Sequence, residues 1–426
     1  MSAAVFFAFP VTATSHTLAD YRARGGYAAL ERAIRTMQPL EVAAHVKSSG
    51  LQGRGGAGFM TGLKWEFVSR DAPVVYLCCN VDEGEPGTFK DRWIVEHSPH
   101  QLLEGMLIAS YALRVRRAFA YVRGEFDLPL RRLQAALAEA RAAGLVGEDI
   151  LGTGFSCDIV IHRGGGAYVC GEESSLVNSL EGKKGFPRNK PPFPAVRGLY
   201  QKPTVVNNVE TLSALPWIVT HGPEAYAAIG AGKSPGTRLF GVSGHVNRPG
   251  LFEKPTGYPL RQLVFDDAGG ILNGRALKAV IPGGSSTPVL TAAEVETVTL
   301  DPESLARHGS MIGSGAVIVI AEGTCMVKLL QVLARFYAHE SCGQCTPCRE
   351  GTDWMNRILG RILAGRGTPA DLATLRRIPI GIQGNTICAL GDAASMPVAS
   401  FLRKFGDEFE HCVRHGRSLH DARLAA

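Results

Sequence analysis

Val74–Val81 reads VVYLCCNV and runs directly into Asp82–Gly87, DEGEPG. An apolar run of this length, rich in β-branched residues and closed by a glycine-containing acidic turn, predicts a buried strand with a loop at its carboxyl end. Downstream, Ser98-Pro99-His100-Gln101 opens a helix to about Leu113, with Ser98 as N-cap, Pro99 in the first helical position and Gln101 closing a capping box. Ala118 to Val122 reads as a second strand, Leu128 to Ala143 as a helix, and Cys157 to His162 as a third strand. Gly164-Gly165-Gly166 then leads to a helix near Glu172 to Leu180. Upstream, Leu18 to Met37 and Pro39 to Ser49 read as helices. Strands alternating with helices predict a largely parallel sheet covered on both faces.

A proline-rich extended stretch, Gly185 to Pro203, closes this region. Beyond it the pattern changes. Thr237 to Ser243 and Leu251 to Pro255 flank the turn Asn247-Arg248-Pro249-Gly250 as a hairpin, and short elements, including a helix over Leu260 to Phe265, continue to about Ile320. From Met326 the chain reads as helices, about Met326 to Ala338, Gly351 to Ala364, Ala370 to Ile378 and Ser395 to Cys412. These predict a helical bundle. The expected domains are residues 1–230, 231–324 and 325–426.

Composition limits what such a chain can do. Of 426 residues, 45% are hydrophobic and 20% charged, which excludes disorder as the dominant state. A net charge of +6 is too dilute for a nucleic-acid surface. No uninterrupted apolar stretch reaches the length of a membrane span. The start, Met1 to Thr14, lacks a basic leader, so no secretory signal is expected. The 50 glycines cluster, as where backbone is brought close to a ligand.

Three of the ten cysteines crowd into Cys342-Gly-Gln-Cys345-Thr-Pro-Cys348, and Cys388 follows in Thr386-Ile-Cys388-Ala-Leu-Gly391. Thiolates at i, i+3 and i+6 suit three corners of an iron–sulfur cube, with a distant fourth closing the last. A structural zinc site is the plainer alternative, but it more often pairs two separate C-x2-C knuckles. Cys78, Cys79, Cys157 and Cys170 lie on or beside apolar strands and read as buried small hydrophobes.

Gly53-Arg54-Gly55-Gly56-Ala57-Gly58 satisfies G-x-G-x-x-G, yet a helix rather than a strand is expected before it, so it fails as a dinucleotide fingerprint. Its backbone N–H groups can still approach a phosphate or a flat ring, and Arg54 and Lys64 are candidates to pair with phosphates. Asp82, Glu83 and Glu85 follow the first strand, where ligands of open α/β sheets bind and carboxylates accept ribose hydroxyls. Glu172 and Glu173 suit a helix N-terminus, and Asn207-Asn208 with Thr211 form a further polar knot. An iron–sulfur site carries single electrons and a nicotinamide carries two. A flavin can adapt one to the other.

Seven blocks carry a resemblance: Gly53–Trp65 (GRGGAGFMTGLKW), Val81–Asp91 (VDEGEPGTFKD), Gly166–Leu176 (GAYVCGEESSL), Gly182–Pro194 (GKKGFPRNKPPFP), Lys202–Leu212 (KPTVVNNVETL), Glu340–Thr352 (ESCGQCTPCREGT) and Thr386–Asp392 (TICALGD). In order, from about Ser15 to Cys412, the chain resembles the NADH-binding flavoprotein subunit of respiratory complex I. The resemblance implies an α/β Rossmann-like FMN domain, a ubiquitin-like α+β (SLBB-type) domain and a C-terminal four-helix bundle carrying a 4Fe–4S cluster. It implies that Gly53, Gly55, Lys64, Asn80, Asp82, Tyr168, Gly171, Glu172, Asn207, Asn208 and Thr211 hold FMN. Phe59, Phe67 and Phe193 would stack on the adenine of NADH, with Glu85, Glu173 and Lys190 on the rest of the dinucleotide. Cys342, Cys345, Cys348 and Cys388 would ligate the cluster. Met60 stands where the family usually has proline, and Val81 where a smaller residue is commoner.

The expected chemistry is hydride transfer from NADH to FMN, then one-electron transfer through the cluster toward quinone. No side-chain base is required; Lys64, Glu83 and Glu85 would support, Lys64 by stabilising reduced flavin and Glu85 by disfavouring NADPH. The implied partners are a 2Fe–2S thioredoxin-like subunit and the large iron–sulfur subunit of complex I, with neither nucleic acid nor a membrane span. The implied location is peripheral, on the cytoplasmic side of the inner membrane. The diaphorase subunit of a soluble NAD-dependent hydrogenase or formate dehydrogenase shares these blocks, often with an extra thioredoxin-like region. About 50 residues before Gly53 are too few for one, which favours complex I. A zinc scaffold without catalysis is the alternative from another class.

Overall fold

The structure is a computed structural model that describes residues 4–69 and 71–420, in two compact units. The first comprises Met1–Gly84, Thr88–Phe240 and Leu251–Tyr258; the second comprises Glu85–Gly87, Gly241–Gly250 and Pro259–Ala426. Residues 1–3 and 421–426, the outer ends of the first and third expected domains, lie outside the described residues.

The first unit is built on four strands, β1 (Tyr76–Val81), β2 (Arg117–Val122), β3 (Asp158–Arg163) and β4 (Thr204–Asn208), in the order β3-β2-β1-β4. All pairs are parallel: Cys79 sits opposite Ala120 on one side and Asn207 on the other. Leu77, Cys78, Cys79 and Val81 are buried, as expected for a strand covered on both faces. Val81 is fully buried, so the larger side chain is absorbed by the sheet interior. The winding proceeds from β1 through β2 to β3, and then returns to the other side of β1 to place β4. That reversal opens a crevice between the carboxyl ends of β1 and β4, where ligands of such sheets bind.

The Pro99–Ala112 helix packs on β1 and β2 and is buried along nearly its whole length. Ser98 precedes it as expected, but its hydroxyl donates to Gln101 Oε1 at 3.2 Å rather than capping the helix. Gln101 closes no capping box; its amide donates to the carbonyls of Val5 and Ser213. Burial explains the change, because a buried amide must satisfy distant carbonyls that water cannot reach. The expected helix from Leu18 to Met37 is two helices, Leu18–Ala23 and Ala28–Thr36, broken where Gly25 and Tyr27 adopt left-handed backbone. Pro39–Ser48 is a helix, confirming that no strand precedes the Gly53–Gly58 loop.

A second sheet has the order β6-β5-β9-β7-β8, with β5 Thr237–Gly244, β6 Gly250–Pro255, β7 Leu277–Ile281, β8 Leu290–Thr291 and β9 Ala316–Ala321. Within the second unit, Gly241–Gly244 of β5 runs parallel to β9, and β7 runs antiparallel to both β9 and β8. The helices of this unit are Met326–Glu340, Thr346–Leu363, Pro369–Ile382, Leu390–Lys404 and Gly406–His415. The stretch expected as one helix, Ser395 to Cys412, breaks at Phe405 into two. Among the described residues no helix is long and apolar enough to cross a membrane.

Candidate functional site

A cavity of about 720 Å³ opens in the first unit, within the range of cofactor pockets. Its walls include Asn80 from the end of β1, and Val206, Asn207 and Asn208 from the end of β4. The crevice predicted by the strand order is therefore the cavity. The Gly53–Gly58 loop forms another wall, supplying Gly53, Gly55, Ala57, Gly58 and the following Phe59. That loop is clasped at its base: Gly53 N donates to Phe59 O at 2.8 Å, and Thr61 N to Leu51 O at 2.9 Å. Met60 sits in this clasp, bridged to Gln52, so the turn presenting Phe59 is held despite the missing proline.

The Thr61–Glu66 helix follows and aims Lys64 into the cavity. Lys64 Nζ donates to Glu173 Oε2 at 2.7 Å and to Val206 O at 2.9 Å. Glu173 begins a helix, Glu173–Leu180, whose N-cap is Glu172. One oxygen of Glu172 accepts from the N–H groups of Ser174 and Ser175, each at 2.9 Å, and the other from Lys190 Nζ at 2.6 Å. Burial alone would raise the Glu173 carboxyl, but Lys64 and Lys190 together hold it below the usual range. Burial would likewise lower Lys190, and the two glutamates hold it up. The result is an ordered lattice of two cations and two carboxylates on one side of the cavity.

Phe59, Phe67 and Phe193 also line it, and all three are exposed, at 49%, 59% and 56%. The Phe59 and Phe67 rings lie 6.0 Å apart. Core packing is thus excluded for them, and three accessible ring faces beside a lysine suit a planar base carried on a phosphate chain.

Asp82, Glu83, Tyr168, Thr211 and Glu85 do not line the cavity. Tyr168 packs against Gly84. Thr211 is fully buried, and its hydroxyl accepts the Arg54 N–H at 2.8 Å. Glu83 caps the Lys90–His97 helix, accepting the Asp91 and Arg92 N–H groups at 2.8 and 2.9 Å. Glu85 belongs to the second unit, where Oε1 accepts from Ser285 Oγ at 3.1 Å and Ser286 N at 2.7 Å. Arg54 corrects the expectation most sharply. Its guanidinium is buried and donates to Tyr226 Oη, Pro235 O and Thr237 O, so it is not available to pair with a phosphate. Only its backbone belongs to the loop.

Sequence reasoning missed the wall residues Pro194, Ala195, Val196 and Val206, which carry no chemical signature. It also missed a buried charge network behind Asn208. Lys90 Nζ contacts Asp91 at 2.7 Å, Glu210 at 2.9 Å and Asn208 Oδ1 at 3.2 Å. Nothing local in the sequence marks an adjacent lysine and aspartate as buried.

In the second unit Cys342 and Cys345 lie in the loop before the Thr346–Leu363 helix, and Cys348 in its first turn. Cys348 is buried, whereas Cys342, Cys345 and Cys388 are half-buried. Burial raises the Cys348 thiol, and Cys345 and Cys342 raise it further, so thiolates here require a cationic partner. Gly351 lets the Pro369–Ile382 helix approach one turn below Cys348: a Cβ there would meet Ile382 Cδ1 at 2.5 Å. Gly391 plays the same part beside Cys388, with Thr386 at 2.5 Å from its missing Cβ. Among the described residues no three His, Cys, Asp or Glu side chains converge on a single metal ion. Cys342 and Cys345 both act on the Cys348 thiol, so these three lie together, and an all-thiol set fits a multinuclear cluster, whose irons each take one cysteine.

The comparisons with known proteins agree with these features. Residues 46–217 match the Nuo51 FMN-binding domain, residues 238–319 an SLBB domain, and residues 328–412 the NADH-ubiquinone oxidoreductase-F iron–sulfur binding region. The chain is 53% identical over 395 residues to the NADH-quinone oxidoreductase F-subunit 2 of Rhizobium meliloti (strain 1021), covering 92% of this chain and 94% of that one. It is 49% identical over 417 residues to the NADH-quinone oxidoreductase F-subunit of Mycobacterium tuberculosis (strain ATCC 25618 / H37Rv), covering 96% and 93%. Among solved structures, an NAD+-reducing [NiFe]-hydrogenase in the H2-reduced state superposes with a TM-score of 0.83 at 38% identity, over 94% of this chain and 67% of that one.

Proposed function

The chain belongs to the family of NADH-quinone oxidoreductase F-subunits, the flavoproteins of the NADH dehydrogenase module of complex I, and from that premise we propose how its residues divide the work. FMN and a 4Fe–4S cluster are its cofactors and NADH its substrate. FMN supplies the conversion between two-electron and one-electron transfer.

The observation that carries the assignment is the β1–β4 crevice itself, lined both by three exposed phenylalanines and by the polar groups of Lys64, Asn80, Asn207 and Asn208. Gly53, Gly55, Lys64, Asn80, Gly171, Glu172, Asn207 and Asn208 hold FMN, with Asp82, Tyr168 and Thr211 shaping the surrounding backbone. Phe59, Phe67 and Phe193 stack on the adenine of NADH, and Glu173 and Lys190 contact the rest of the dinucleotide. Lys64 places positive charge where reduced flavin becomes anionic. Glu83 supports by holding the loop after β1. No side chain acts as a base. Cys342, Cys345, Cys348 and Cys388 bind the cluster.

The functional division is 1–230, 231–324 and 325–426, and each matched family region falls inside one part. The protein works with other complex I subunits. The specific neighbours proposed are the 2Fe–2S thioredoxin-like subunit and the large iron–sulfur subunit, on the cytoplasmic face of the membrane. A diaphorase role in a hydrogenase is the second reading, supported by the solved neighbour at 38% identity and opposed by curated relatives at 49–53%.

The decisive experiment is anaerobic. The purified chain should carry flavin and broad iron–sulfur absorbance, and NADH should bleach the flavin. A chain that takes up no FMN, or whose bound FMN resists NADH, contradicts the assignment. Copurified quinone reductase or hydrogenase activity decides between the two complexes.

A further inference from the structure

We propose that Trp65 is a positioning residue of the flavin site, whose indole N–H occupies Asn207 Oδ1 and so reserves the Asn207 amide N–H groups for the phosphate of FMN. This rests on the FMN assignment above.

The Trp65 Nε1–Asn207 Oδ1 distance is 3.0 Å across 142 positions of sequence. An indole nitrogen only donates, so its partner on the asparagine must be the oxygen. The amide orientation, usually a matter of inference, is here dictated by chemistry. Trp65 is buried in the core of the first unit and cannot swing away without emptying its site. Asn207 lines the cavity, and among the described residues its amide nitrogen has no acceptor within the protein. Two N–H donors are left for a ligand.

The other cavity asparagines are wired alike. Asn208 Oδ1 accepts from Lys90 Nζ and from Glu210 N at 3.0 Å, and its Nδ2 donates to Asp91 Oδ2 at 2.6 Å. Asn80 Oδ1 accepts from Asp82 N, and its Nδ2 donates to Gly171 O, both at 2.9 Å. Each oxygen is spent inside the protein, so this wall offers donors and few acceptors. Asn207 differs in keeping both of its N–H groups. The carboxylates of the cavity, Glu172 and Glu173, lie in the lattice with Lys64 and Lys190 and disfavour a dianion there. Asn208, the next residue, lies against the loop, where a Cβ on Gly55 would stand 3.3 Å from Asn208 Cβ, so bare glycine backbone borders the asparagine pair and makes it the place for the phosphate.

The test compares FMN with riboflavin, which lacks the phosphate. The full-length chain is stripped of flavin, and dissociation constants are read from quenching of flavin fluorescence. Trp65→Phe keeps an aromatic ring but frees the Asn207 amide to turn. It should weaken FMN about tenfold and leave riboflavin within about twofold. Asn207→Asp keeps an acceptor for Trp65 and presents the phosphate with an anion; it should weaken FMN about a hundredfold, again sparing riboflavin. In an Asn207→Ala background, Trp65→Phe should have no further effect on FMN. Equal losses for FMN and riboflavin, or additive effects in the double variant, overturn the proposal. Should Trp65→Phe not fold, the Asn207→Asp ratio decides alone. A wild-type chain that binds neither flavin refutes the FMN assignment instead.

Discussion

At the scale of single residues, the site consists of ordinary side chains given fixed states by their neighbours. Glu83 is the clearest case. Burial first, then Asp91, push its carboxyl up to about 7, against the pull of Lys90 and two backbone N–H groups. A folded-state value above the ordinary 4.5 means that the proton stabilises the fold. That contribution is complete below about pH 4.5 and is lost as pH rises through about 7. Glu83→Gln cannot lose a proton, so its stability deficit relative to wild type should shrink across this window, as read from melting temperatures over a pH series. A deficit independent of pH would mean that Glu83 does not titrate there. The residue scale is also where reading and fold part most visibly. Lys64 and Arg54 looked equivalent beside the glycine loop, yet one reaches the cavity and the other turns into the core.

At the scale of elements, short helices set the positions of site residues through unusually close crossings. The Thr61–Glu66 helix carries Lys64 and Trp65, and it lies against the Pro39–Ser48 helix at Gly62. A Cβ on Gly62 would stand 2.4 Å from Lys47 Cα and 2.8 Å from Lys47 N, atoms of a backbone that cannot step aside. Alanine improves helix propensity by about 1 kcal/mol, and overpacking costs about 1–3 kcal/mol or more against backbone. The clash therefore wins. Gly62→Ala should lower the melting temperature and weaken FMN binding together, because the helix must retreat with Lys64 and Trp65 on it. A stabilised protein with unaltered flavin affinity would show that the crossing has slack. β1, β2 and β3 were readable from their apolar runs, since a buried parallel strand has a strong local signature; β4, which follows the proline-rich stretch, and the strand order were not, because pairing between distant segments is set by packing. The breaks at Gly25–Tyr27 and Phe405 were not, because apolar spacing continues through them and packing decides where each helix ends.

At the scale of the whole molecule, the cavity proposed for flavin belongs to the first unit and the four cysteines proposed for the cluster belong to the second. Separate cores predict separable losses. Cys345→Ala should abolish the cluster's paramagnetic signal at low temperature while NADH still bleaches bound flavin. An unaltered spectrum removes Cys345 from the ligand set, and loss of both signals would mean that the units do not fold independently.

The identity of the chemistry was written locally. Three cysteines within seven residues specify a soft-metal cradle by spacing alone, and glycines between an expected helix and the next one specify an exposed backbone loop rather than a dinucleotide turn. Local spacing suffices there because the ligand's demands fall within a few residues of chain. What only tertiary structure decided is direction and company: that Phe59 and Phe67 stay in the open, that Lys64 meets Glu173, and that Trp65 faces Asn207. Those pairings join segments more than a hundred positions apart, and a side chain's partners at that distance depend on packing, which composition and periodicity do not encode.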